Sequence, residues 1–398
     1  MIQDRTPGTG AKSMASLLPI YVLGFCSYIS FTLLFPVMPR YATEFGASVF
    51  QVGLVVGIYS YITALTMIPF GILSDRIGRR IPLLAGLLVY IISPLLYPLA
   101  SDVSTLTLVR AIHGLASAAF IPVANALVVD MSPPHKIGEA MGWYTASTQL
   151  SFVIGPIAGG FLLNYFGFAA AFYACSIVPF LGLLFILPRL RTIPRRPVIR
   201  EAVTSHWGWL RQRRAWGGLL TPFFITVGSG TIIAFMPLYG DGFGIGAGKV
   251  GIIITIIYAS SVVLRAPAGR LSDRIGRTPV ILSGLLISAV AIAGMSLAAS
   301  FPWLMVAGVF FGLGMGLAMP AAFALVADLS PAGERGLTMG TANSFLQLGV
   351  AVGATAMGGV AGAVGLGTMF KVCALILVVG LLIIFFLTRQ GAKRVLLH

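Results

Sequence analysis

Arg110 and His113 stand three positions apart inside an apolar run covering 103–129, so on a helix they share one face. Such a pair could do either of two things. An imidazole with an ordinary pKa near ~6.5 can load and release a proton, or guanidinium and imidazole together can hold an anion. No carboxylate accompanies them. The acidic residues are Asp4, Glu44, Asp75, Asp102, Asp130, Glu139, Glu201, Asp241, Asp273, Asp328 and Glu334, and all fall at the ends of apolar runs or between them. Uncharged polar residues recur in matched pairs: Thr145 with Gln149, and Asn343 with Gln347, each four apart. Buried amides and hydroxyls cost free energy unless satisfied, so these positions imply a water-filled cavity or hydrogen bonds between helices. Tyr28, Phe31 and Phe35 make an aromatic stripe that suits either a packing face or the wall of a site for an apolar ligand. Enzyme chemistry finds no support. The stretch Gly244 to Val250 lacks the Gly and the Ser/Thr of a phosphate loop, and the histidines are scattered. Cys26, Cys175 and Cys373 are lone thiols without metal-ligand spacing. No catalytic residue, metal or cofactor is implied.

The elements that position these residues follow from composition. Hydrophobic residues make up 58% of the 398 and charged residues 9%, far below the roughly 25% charged of a soluble domain. Twelve stretches approach the ~20 apolar residues that a membrane crossing needs. They lie at 16–38, 48–72, 81–100, 103–129, 140–163, 169–187, 215–239, 250–270, 279–299, 302–327, 337–363 and 366–388. The first is too long for a signal peptide and no small-residue cleavage site follows it, so it reads as a retained span.

The net charge of +15 is distributed by side. The two tails, the turns at 74–80, 130–139, 270–278 and 328–336 and the segment 188–214 hold 21 of the 26 Lys and Arg, whereas the opposite side carries only Arg40 and Lys249. This asymmetry places both termini in the cytoplasm and makes the basic excess a topology and lipid-headgroup signal, not a nucleic-acid footprint. Arg265 and Lys371, near span ends, read as residues that reach out to headgroups. Absence of Asn-x-Ser/Thr sequons favours a bacterial or archaeal cytoplasmic membrane.

A repeat runs through the chain at an offset of 198. Gly71-Ile-Leu-Ser-Asp-Arg-Ile-Gly-Arg79 returns as Gly269-Arg-Leu-Ser-Asp-Arg-Ile-Gly-Arg277, and the same register pairs Gly53 with Gly251, Pro122 with Pro320, Asp130 with Asp328 and Gln149 with Gln347. Two homologous six-span bundles, 1–187 and 215–398, are therefore expected, joined by an Arg-rich cytoplasmic linker at 188–214. Parallel six-span halves with a site between them at mid-membrane form a transporter architecture in which one half rocks against the other.

The segment Gly71-x-x-x-Asp75-Arg76-x-Gly78-Arg79-Arg80 resembles the signature between spans two and three of the major facilitator superfamily. The resemblance implies an all-α membrane protein of twelve transmembrane helices in two pseudo-twofold-related bundles. It also implies that the turn is a cytoplasmic latch, closed when the cavity faces outward, formed by Gly71, Asp75, Arg76, Gly78, Arg79, Arg80 and Asp130. Gly269, Asp273, Arg274, Gly276, Arg277 and Asp328 supply the second copy. Ser151-Phe-Val-Ile-Gly155-Pro156-Ile-Ala-Gly159-Gly160 resembles the family's antiporter motif, with Ser151 where a Gly is usual. That likeness implies a tightly packed hinge at Gly155, Pro156, Gly159 and Gly160, although the same glycines would serve any close helix crossing. Arg110 matches the arginine associated in the family with proton transfer, and His113 stands where that motif often has Gln. The most similar branch is that of drug–proton antiporters. The expectation is a monomeric secondary transporter that works by alternating access and exports small hydrophobic compounds, with protons as coupling ion. Tyr28, Arg110, His113, Thr145, Gln149, Asn343 and Gln347 then line the substrate or proton cavity. Two other readings stand beside it: an exporter or flippase of an anionic, lipid-like or sugar metabolite, and a non-transporting receptor or scaffold.

Overall fold

Apolar runs without water must satisfy their backbone polar groups internally, and the helix does this within one segment. The computed structural model describes residues 17–188, 207–298, 300–331 and 335–389. Its helices are α1 (Leu18–Thr32), α2 (Met38–Glu44), α3 (Val49–Ile77), α4 (Arg80–Leu96), α5 (Val103–Met131), α6 (Ile137–Ile186), α7 (Arg213–Asp241), α8 (Ala247–Ile275), α9 (Arg277–Met295), α10 (Phe301–Asp328), α11 (Arg335–Val364) and α12 (Leu366–Arg389). Among the described residues ten helices are long and apolar enough to cross a membrane, and a shorter apolar one covers Leu18–Thr32. The 50-residue α6 is two spans that meet at Gly167, where φ is 78°. Only a residue without Cβ takes that conformation cheaply. With α1 and α2 together as the first span, the molecule is a twelve-helix membrane bundle.

Two boundaries differ from the hydropathy reading. The first span is interrupted at 33–37, where Phe35 donates its backbone N–H to Thr32 O and Val37 to Leu34 O in tight three-residue turns. Pro36 has no N–H to continue the ladder. Spans two and eight run five residues past their apolar stretches, to Ile77 and Ile275, because the stop is Gly78 (φ 88°) in one and Gly276 (φ 93°) in the other. Hydropathy ends before the helix does. Of the linker, residues 189–206 lie outside the described residues.

Within the first half α1 packs on α6, and α5 packs on α3 and α4. Within the second, α7 packs on α11, and α10 on α8 and α9. The halves meet along two seams, α3 against α11 and α6 against α8. A Cβ placed on Gly53 would strike the backbone of Ala354, and one on Gly251 would strike that of Pro156. Adding 198 to 53 gives 251, and subtracting it from 354 gives 156, so these are one contact with the halves exchanged. Gly57 against Ala351, and the bond from Thr255 Oγ1 to Val153 O (2.7 Å), form a second such pair. Apolar helices gain little from burial against apolar lipid, so close backbone approach at small residues is what holds the seams.

Candidate functional site

The charged turns are built alike in both halves. Arg79 Nε donates to Asp130 Oδ2 at 3.0 Å, and its Nη1 reaches Ser74 Oγ at 2.7 Å and Asp75 Oδ1 at 2.5 Å. Arg277 repeats this with Asp328 Oδ2 at 3.0 Å, Ser272 Oγ at 2.8 Å, and Asp273. Ser74 and Ser272 in turn donate to Gly71 O and Gly269 O, both at 2.8 Å. Neither serine was singled out by sequence reading, although both sit in the repeat. The copies differ in burial, the Arg79 side chain being 3% exposed and that of Arg277 20%. Arg76 and Arg274 are exposed, and Arg80 is half-buried. All of these ion pairs join residues of the same half.

The Gly-Pro stretch of α6 has two working faces. A Cβ on Gly155 would meet Thr32 and Leu33, and one on Gly159 would meet the Leu33 carbonyl, so this face seats the end of α1. Ser151, the departure from the motif, donates to Phe25 O at 3.0 Å, while Thr32 Oγ1 donates to Ser151 O at 2.8 Å. The other face belongs to the seam. Pro156 lies against Gly251, and a Cβ on Gly160 would strike Ala247 at the start of α8. One short segment thus fixes both the break in span one and the contact between halves.

Arg110 and His113 are not between the halves. They lie inside the first bundle, 2% and 0% exposed. Arg110 Nε donates to Val55 O at 3.3 Å, its Nη1 to the Tyr97 hydroxyl at 3.4 Å, and its guanidinium carbon sits 5.0 Å from the Tyr59 ring centroid. The Tyr97 hydroxyl is 2.8 Å from His113 Nδ1, and His113 Nε2 is buried without a partner. Tyr59 and Tyr90 flank the imidazole edge-on, with their hydroxyls 3.3 Å apart. The three tyrosines come from α3, α4 and the turn after α4, and no sequence pattern pointed to them.

At mid-depth between the halves stands a different group. Arg265 is ten residues before the end of α8 at Ile275, about 15 Å at ~1.5 Å per residue. Expected to reach headgroups, it instead turns toward the other half, because the helix continues well past the apolar run. Gln149 of α6, its amide oxygen turned to the guanidinium, accepts from Arg265 Nη2 at 2.7 Å and from Nη1, while Arg265 Nε is buried without a partner. Above this pair is an aromatic wall. The Phe152 ring centroid lies 4.8 Å from that of Tyr258, 5.9 Å from Tyr28 and 6.1 Å from Phe35. Phe31 stacks on Tyr59 at 4.3 Å. A small hollow beside Tyr258 is lined by Ser229, Ile233 and Phe311. The other polar positions are placed differently. Thr145 is exposed, Asn343 Nδ2 donates within its own helix to Met339 O at 2.9 Å, and Gln347 is half-buried.

Contacts between halves extend from this level to the face remote from the basic turns. There Arg40 of α2 pairs with Asp241 of α7 and donates to Ile245 O at 2.9 Å. Tyr61 and Thr355 join α3 to α11 through hydroxyls 3.0 Å apart. None of the contacts between halves named here lies at the basic turns, whose ion pairs each join residues of one half.

Known proteins share this architecture. The chain is 25% identical to an uncharacterized MFS-type transporter, MJ1560, of Methanocaldococcus jannaschii over 93% of its length and 98% of the relative's. It is 28% identical to the multidrug resistance protein MdtG of Klebsiella pneumoniae over 88% of each. Among solved structures, a bacterial homolog of the human lysosomal transporter Spinster, inward-facing and unoccupied, superposes with a TM-score of 0.79 at 19% identity, covering 96% of this chain and 98% of that one. The family model described as Major Facilitator Superfamily matches residues 20–248 and 218–396. Twin six-span bundles, the duplicated charged turn and this match together make the chain an integral membrane transporter, not an enzyme, belonging to the Major Facilitator Superfamily.

Proposed function

We propose that this transporter works by alternating access and exports small, largely hydrophobic compounds in exchange for protons, with its basic face and both termini in the cytoplasm. The carrying observation is the one-ended closure. The contacts between halves named above run from Gln149–Arg265 at mid-depth to Arg40–Asp241 at the non-basic face, while the ion pairs of the basic turns lie within their own halves. That asymmetry supports a cytoplasm-facing state. Rocking about the α3–α11 and α6–α8 seams would open the Arg40–Asp241 end and close the basic end. Asp75, at the C-terminal end of α3 and 43% exposed, would then lie near the start of α11, where an anion is stabilised by the helix dipole by ~0.3–2 kcal/mol. The bundles of this reading are 1–187 and 215–398, hinged at the Gly155–Gly160 segment and acting as a monomer. The aromatic wall at mid-depth suits an apolar substrate, and the name of the MdtG relatives supports multidrug-type efflux.

His113 is the proton carrier in this reading. Its Nδ1 is 2.8 Å from the Tyr97 hydroxyl, and in the tautomer whose Nδ1–H donates to that oxygen the unpartnered Nε2 is the atom that loads. Proteoliposomes holding the full chain test both parts. An acidic lumen should drive uptake of a neutral hydrophobic fluorophore against its gradient, and a protonophore should abolish that accumulation. His113→Gln should keep downhill exchange and lose gradient-driven accumulation. Flux indifferent to the pH gradient would end the proton reading. Absence of protein-dependent flux across a panel of apolar probes would end the efflux reading.

A further inference from the structure

From the Arg265 site we infer that the preferred substrates are amphipathic organic anions, an acidic group on an aromatic or otherwise apolar body. This deepens the proposed transport reading and rests on it. Arg265 is a cation about 15 Å from its helix end, between the two halves and not inside either. Ionisable groups at such depth are expensive and are retained for function. Its present partner is a neutral amide, Gln149, and its Nε is buried with none. The described carboxylates are all elsewhere: Asp75, Asp130, Asp273 and Asp328 on the basic turns, Glu139 beside Lys136, and Glu44, Asp102 and Asp241 at the opposite face. No described carboxylate balances this charge. A guanidinium fork with an open edge matches a carboxylate, sulfonate or phosphate.

Symmetry removes the structural explanation. Subtracting 198 from 265 gives 67, and Met67 occupies that place, 4% exposed. An apolar side chain suffices for the fold at the equivalent point of the other seam. The aromatic wall is equally one-sided. The counterparts of Tyr28, Phe35, Phe152 and Tyr258 are Thr226, Ile233, Val350 and Ser60. Charge and aromatic surface have thus been added together, at one seam only, within two helical turns of each other on α8. That combination reads an anionic head and an apolar body.

Two dyes that differ by one group provide the test: 1-anilinonaphthalene-8-sulfonate and the neutral N-phenyl-1-naphthylamine. Their binding is measured on the purified full chain in nanodiscs, with empty discs subtracted. Wild type should bind the sulfonate at least tenfold more tightly than the neutral dye. Arg265→Met, a side chain the other half already accommodates, should bring that ratio near one while leaving neutral-dye binding within about threefold. Arg265→Lys should keep part of the preference. A wild-type ratio of one or below, or a ratio unmoved in Arg265→Met, overturns the inference. Flux separates this from the parent reading. Arg265-dependent binding without protein-dependent flux would sink transport of these compounds and leave the anion site standing. Flux of the neutral dye without sulfonate preference would do the reverse.

Discussion

Arg79 and Arg277 make the same three kinds of contact, yet one is nearly sealed and the other a fifth exposed. Charge-assisted bonds gain strength as water is excluded, and exposed ones are screened. Arg79→Ala should therefore cost on the order of 3 kcal/mol, and Arg277→Ala about 1 kcal/mol or less. Thermal unfolding of the purified variants checks the order, and equal losses would mean that burial is not what distinguishes the turns. The same scale separates the three intramembrane cations of interest. Arg110 is enclosed by backbone carbonyl, tyrosine hydroxyl and ring face inside one bundle. Arg265 looks across the seam at an amide, and Lys371 is exposed. All three are cations in the sequence, and their neighbours give them different surroundings.

Among the elements, α6 carries most of the constraint. Gly155 and Gly159 hold the end of α1, Gly160 and Pro156 hold α8, and Gly167 turns the chain back. Gly159→Ala would put a methyl group into the Leu33 carbonyl. Because backbone cannot give way as a side-chain tip can, this variant should lose thermal stability and transport together. Gly142→Ala, in open space on the same helix, should be at least as stable as wild type, since Ala is the better helix former by ~1 kcal/mol. Matched unfolding curves decide it, and a benign Gly159→Ala would show that α1 and α6 are not in fact pressed together. The antiporter-like motif was legible from residue order. Its division into an α1 face and an α8 face was not, because a helix apolar all round has no polar side to orient it.

For the whole molecule, the two ends should respond with opposite sign. Removing the Arg40–Asp241 link by Arg40→Ala should free the non-basic end, and Asp75→Asn should weaken closure of the basic end. A switch of this kind needs only a few kcal/mol of bias, within reach of single charged pairs. Spin labels at Glu44 and Gly362, both at the non-basic end and in different halves, report the change. Their separation should lengthen in Arg40→Ala, and remain short in Asp75→Asn even when substrate or pH drives wild type to the longer distance. Shifts in the same direction for both variants would sink the latch assignment.

The count of spans and their division into two copies were both present in the order of residues. Hydropathy, a 198-residue offset and recurring Asp-Arg spacing are properties of the chain, and lipid leaves helices as the local answer. What tertiary structure alone decided was which side chains meet. Lipid and protein interior are equally apolar, so no amphipathic stripe announces whether a helix face meets a neighbour, a cavity or the bilayer. For that reason Arg110 and His113 sit sealed within one bundle. Tyr97, Tyr59 and Tyr90 gather round them from elements far apart in sequence, and Arg265, five residues from an apparent end, stands at the centre.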